Sequence, residues 1–258
     1  ANMIFLVTIL AVGGMAGDNG MTYIAAAAMA FAFLWALCGG YTADTLGKLL
    51  RIRNAKGQYK SMAKMRRNIL LFQLAVGLAG TILLFFGAGT IAGKLLHVQY
   101  SVFLMMLLAP ALLLRVVSAV LMGFCQGEGS EMPTAVSGIL RQVFVLIFSL
   151  IFCRALGNYG LKVGMLLTQA NFASMYTAAG FCIAVDVSEV FVILFLLVLQ
   201  KIGRQSQKRE SLEGMRFTDS FWSAVQSFSS NRISYAAIQL LLLLPVVLGF
   251  LFFENGCK

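Results

Sequence analysis

Histidine occurs once in this chain, at His97, proline occurs three times, and charged residues make up only 12% of the 258 positions. A soluble domain carries about a quarter charged residues, so an ordinary water-facing surface is excluded. The lone histidine stands three residues after Lys94, and with no second ligand it reads as an interfacial residue. The five cysteines (Cys38, Cys125, Cys153, Cys182 and Cys257) are scattered, with no C-x-x-C pair and no Cys/His cluster. A metal site is therefore not expected. A nucleophile–base–acid set cannot be assembled around one histidine, so the chain is expected to be no enzyme. The glycines from Gly123 to Gly129 lack the Lys-Ser/Thr that completes a phosphate-cradling loop, and no cofactor is expected.

What the chain does hold is apolar residues. They make up 60% of it, the mean hydropathy is +0.86, and 25 glycines outnumber the prolines. Apolar runs recur at close to the ~20 residues that cross a bilayer as a helix. Abundant glycine suits closely packed membrane helices. The fold class is all-α, a polytopic membrane helix bundle.

A net charge of +10 would suit nucleic acid, but its placement points elsewhere. Eight of the 20 Lys and Arg fall in residues 48–67, which hold no acid, and five fall in residues 201–216. Two basic loops between apolar runs follow the positive-inside pattern and face an anionic leaflet. No basic surface is interleaved with aromatics, so nucleic acid is not an expected partner. Residues 2–16 lack the basic start of a signal peptide.

Taken in order, residues 3–16 read as a first span, 17–20 as a turn and 21–50 as one long helix. Asp44 and Lys48, four apart, read as a helical ion pair. Spans follow over 68–92, 101–122, 139–152 and 176–200, with a polar outer stretch at 154–171 and a last span within 217–253. Pro110 is expected to kink the fourth span. Residues 1–200 thus form a six-span lobe, 201–218 a basic linker, and 219–258 the first span of a second lobe. The Asp18-Asn19-Gly20 turn can be laid on Glu254-Asn255-Gly256, a shift that also aligns Gly13 with Gly249, as in an internal repeat. The chain begins at Ala1 without an initiator Met and ends soon after a span, and reads as a piece of a longer protein.

Between the fourth and fifth spans lies a polar hinge that includes Glu128, Glu131 and Pro133, with proline suited to the first turn of a new helix. Beyond it Ser137 and Arg141 share one helical face. Arg115, Arg141 and Arg232 are cations within apolar helices, where a charge must look into protein or water. They either line a cavity and hold an anion, or snorkel, or pair with Asp186 and Glu189. Those two acids, three residues apart, are also candidates for coupling to Na⁺ or H⁺.

Gln126-Gly127, then Met132-Pro133-Thr134-Ala135 and Ser137, resemble the signature of oligosaccharide-lipid flippases of the stage V sporulation protein B type. These belong to the multidrug/oligosaccharidyl-lipid/polysaccharide exporter superfamily. The Gly57-Gln58-Tyr59 turn and the Ala178-Ala179-Gly180 opening of the sixth span are similar too, so the resemblance covers most of the chain. It implies the first six-helix lobe of a two-lobed transporter plus one further helix, in a bacterial cytoplasmic membrane. The implied substrate is a lipid-linked oligosaccharide or polyprenyl pyrophosphate, whose phosphates Arg115, Arg141 and Arg232 would grip. Relatives often carry Glu-Gln before a basic residue where this chain reads Leu140-Arg141-Gln142. A cation-coupled multidrug exporter of the same superfamily and a non-transporting scaffold for cell-wall enzymes are the competing expectations.

Overall fold

A computed structural model describes residues 2–56, 59–95, 98–168 and 171–206, with side chains described for these except 2, 59–64, 94, 95 and 202–206. The described residues form helices and turns with no strand. The order is α1 (Asn2–Cys38), α2 (Thr42–Ala55), α3 (Tyr59–Thr90) with a π-helical turn (Ile91–Leu95), α4 (Ser101–Gly127), α5 (Met132–Leu167) and α6 (Asn171–Ser206). Five helical segments are long and apolar enough to cross a membrane: Met3–Ala55, Met65–Gly93, Ser101–Gly127, Met132–Leu167 and Asn171–Lys201. The chain is thus a membrane-type helix bundle. The expected last span and the acid-Asn-Gly match at its end lie outside the described residues, as does His97.

The first segment differs from expectation at both ends. Instead of a four-residue turn over 17–20, one residue breaks α1: Gly17, at φ 67° and ψ 179°. A side chain is strained there, and glycine supplies the bend. The bend is sharp, because a Cβ on Gly13 would lie 3.7 Å from Met21 Cγ, whereas eight residues of straight helix span about 12 Å. The expected single helix over 21–50 is also interrupted, between Cys38 and Thr42. Here Gly39 and Gly40 both donate to Trp35 O, at 2.9 and 3.0 Å. The buried amide of Gln73 on α3 donates to Cys38 O and, at 2.8 Å, to Thr42 Oγ1. A side chain from another helix thereby satisfies a carbonyl that the break leaves without its helical partner.

α4 is the centre of the bundle, with 61% of its most apolar stretch buried against 22–39% in the other four. It runs helical through Pro110. α2 lies very close to it. A Cβ on Gly127 would overlap Leu50 Cβ, one on Gly123 would meet Leu46 Cβ at 2.9 Å, and one on Gly47 would meet Gln126 Oε1 at 2.6 Å. α5 and α6 pair along their lengths by the same means: a Cβ on Gly180 would lie 2.7 Å from the backbone of Phe152 and Cys153. Small residues let backbones approach where lipid offers no hydrophobic drive for helix association.

α5 does not end near Phe152 but runs to Leu167, so residues 154–167, expected as an outer polar stretch, are helical. Intrahelical hydrogen bonding continues regardless of where side chains turn polar. The α4–α5 connection is as expected, with a short turn holding Gly129 at φ 94° and Pro133 in the first turn of α5.

Candidate functional site

Two ends of the bundle can be told apart by charge. At one, Arg51 reaches the α4–α5 turn, with Nη2 2.7 Å from Glu131 and Nε donating to Gln126 O at 2.9 Å. Beside it Arg66 Nη2 lies 2.7 Å from Glu128, and its guanidinium sits 5.5 Å from the centre of the Phe124 ring. Both turn glutamates are thus answered by cations from residues 48–67, and this is the basic end. The expected Asp44–Lys48 ion pair is absent among the described residues; both side chains instead line a cavity of about 430 Å³ with Arg51, Gln126, Glu131 and Thr134. Two acids and two bases on that wall cancel.

The far end is marked by aromatic rings. Tyr23 and Tyr100 stand 5.5 Å apart, Tyr100 and Phe172 6.1 Å, and Tyr159 and Tyr176 5.5 Å. Amphipathic rings gather in this way at a membrane–water boundary.

Between the ends lies a charged cluster. Glu189, on α6, has a side chain with 0% exposure. Arg141 Nε from α5 lies 2.8 Å from Glu189 Oε1, and Arg115 Nε from α4 lies 3.6 Å from the same oxygen. Ser118 Oγ donates to Arg115 O at 2.9 Å, lies 3.3 Å from Glu189 Oε2 and accepts from Arg141 Nη2 at 3.2 Å. The Arg141 Nε contact is not aligned as a hydrogen bond, so charge holds that pair, and the bond from Arg141 Nη2 to Ser118 ties the guanidinium to α4. Arg115 keeps 29% of its side chain exposed and lies 5.7 Å from the Phe31 ring and 5.4 Å from the Trp35 ring. Cation–π contacts of this kind contribute about 0.5–2 kcal/mol each. Arg115 is twelve residues from the end of α4, about 18 Å, and Arg141 nine from the start of α5, about 14 Å, which puts both near mid-membrane.

Of the alternatives open for these arginines, pairing with Glu189 is what the structure displays for Arg115 and Arg141. Two guanidinium groups on one carboxylate leave the cluster with a net charge of +1. Asp186, one turn away on α6, keeps a buried Oδ1 with no hydrogen-bond partner. Arg232 lies outside the described residues. Among the described residues no group of three His, Cys, Asp or Glu is placed to hold a metal.

The motif residues fall at the basic end rather than in the cluster. Gln126 offers its carbonyl to Arg51, Gly127 is pressed against Leu50, and Met132 is 74% exposed. Pro133 opens α5, Thr134 lines the cavity, and buried Ser137 donates to Thr134 O at 2.8 Å. Ser118, three residues beyond Arg115 and so on its helical face, and Gln73 were not among the residues expected at the site. A glutamine within an apolar run was the available signal. Comparison with models of protein families, with curated proteins and with solved structures finds no match in any of the three.

Proposed function

We propose that this chain is part of a membrane flippase of the multidrug/oligosaccharidyl-lipid/polysaccharide exporter superfamily. It would move a lipid-linked oligosaccharide or similar polyprenyl-pyrophosphate precursor across a bacterial cytoplasmic membrane by alternating access. The supporting observation is the unbalanced mid-membrane cluster, in which Arg115 and Arg141 share the one carboxylate of Glu189. A buried site with surplus positive charge favours an anion, and guanidinium groups suit phosphate oxygens geometrically. Arg115, the more distant from Glu189 and the more exposed, is the readier of the two to turn to an incoming head group. The lipid tail stays in the bilayer while the head group passes.

The test is translocation of a fluorescent lipid pyrophosphate in vesicles bearing the protein, together with binding of that lipid to the purified protein. R115Q and R141Q should each lower both by about tenfold or more, the loss of one charge-assisted contact. Unchanged binding and transport by both folded variants would remove the arginines from the mechanism.

Asp186 favours a second reading, a cation-coupled exporter, because its buried Oδ1 lacks a partner that Na⁺ or a proton would supply. Efflux of a cationic drug that is lost in D186N would support it.

A further inference from the structure

A cavity of about 550 Å³ opens at the far end between the first arm of α1, α5 and α6. Met15, Leu150 and Leu161 make its apolar wall, and Arg154, Asn158 and Ser174 its polar one. On α5 the lining residues recur at spacings of three, four, seven, eight and eleven from Leu150, which is one helical face. Thr177 also borders it, but its hydroxyl is spent on Ala173 O at 2.8 Å. Arg154 is the charge on this wall, and among the described residues no carboxylate lies within ion-pair reach of it.

Depth says what such a cation would meet. Arg154 is 22 residues into α5, about 33 Å from the basic end, where a hydrocarbon core of about 30 Å is giving out. The Tyr159–Tyr176 pair lies just beyond it along α5. An arginine at this level runs its stem along apolar surface and presents its charge among head groups. The cavity's size is in the range that holds a small ligand.

We infer that this cavity binds the phosphate head group of an anionic membrane lipid at the far end of the bundle. Arg154 holds the phosphate, Asn158 and Ser174 hydrogen-bond its oxygens or glycerol, and the acyl chain leaves along Met15, Leu150 and Leu161. The site is independent of the mid-membrane cluster, from which it is separated on α5 by the thirteen helical steps, about 20 Å, from Arg141 to Arg154.

Native mass spectrometry of the intact chain released from nanodiscs tests this, comparing phosphatidylglycerol with phosphatidylcholine. Wild-type protein should keep phosphatidylglycerol preferentially, and R154Q should keep about tenfold less, the loss of one charge-assisted contact. R154K should retain most of it, and K162Q, which removes an exposed cation of the same helix end outside the cavity lining, should match wild type. N158W places an indole in the cavity from an exposed position and should release the lipid with Arg154 intact, so the test stands even if R154Q does not fold. Retention by R154Q or N158W equal to wild type, or equal retention of both lipids, overturns the inference. Displacement of the lipid by millimolar inorganic phosphate would show a free-phosphate site instead and overturn the lipid assignment.

Discussion

Arg141 Nε stands 2.8 Å from Glu189 Oε1, inside a bundle where that carboxylate is wholly buried. Removing the acid leaves two guanidinium groups facing each other without a counter-charge. E189Q should therefore lose about 3–5 kcal/mol of stability, the range for breaking a buried ion pair. The R141Q/E189Q double variant should be more stable than E189Q alone, because one of the stranded charges goes with its partner. Thermal unfolding in detergent, read by tryptophan fluorescence, measures both. Additive effects would mean that the pair is not coupled.

Helix contact through glycine gives a contrast between two substitutions of the same size. G127A must push its new methyl against Leu50 and should cost about 1–3 kcal/mol, as overpacking does. G138A has nothing within 4 Å of the new Cβ and sits inside α5, so it should be neutral or gain up to about 1 kcal/mol from helix propensity. Melting temperatures of the two variants in one detergent decide it, and equal losses would contradict the close α2–α4 approach.

The two ion pairs at the α4–α5 turn should behave differently. Arg66 and Glu128 are 12% and 17% exposed in their side chains, and Arg51 and Glu131 are 45% and 75% exposed. E131Q should change stability by less than about 1 kcal/mol and less still at high salt. E128K should cost more, and the exchange R66E/E128K should recover part of the loss. Unfolding at low and high salt separates the two pairs.

Crossing of the bilayer can be read from labelling. Cysteines placed at Lys56 and Glu131, both exposed at the basic end, should react with a membrane-impermeant maleimide from the same face, and one at Tyr159 from the opposite face. The native Cys125, Cys153 and Cys182 are buried and should give little background. Labelling of Glu131→Cys and Tyr159→Cys from one side would rule out α5 as a crossing.

Much of the bundle was legible because apolar runs and basic loops obey the bilayer. The helices over 68–92, 101–122 and 176–200 lie within α3 and its π turn, α4 and α6, and the proline-opened start of α5 is where its chemistry placed it. Helix ends were less legible. Arg154, Gly157 and Asn158 look like the start of a loop by composition, yet α5 carries them because its backbone bonds are made within the helix. The break after Cys38 was hidden for a related reason: its carbonyl is satisfied by Gln73, 35 residues on. The cluster was half legible. A cation inside an apolar helix announces itself, but which acid answers it is decided by helix rotation, and Asp186 and Glu189 on neighbouring turns were equally eligible.

The Gly47, Gly123 and Gly127 contacts lock α2 to α4 like the two plates of a hinge leaf. Arg115 belongs to that same leaf, and Arg51, on α2, closes back on the α4–α5 turn at its basic end. Acidic lipids that pull on the basic segment therefore pull on α4, the helix that carries the guanidinium halfway across.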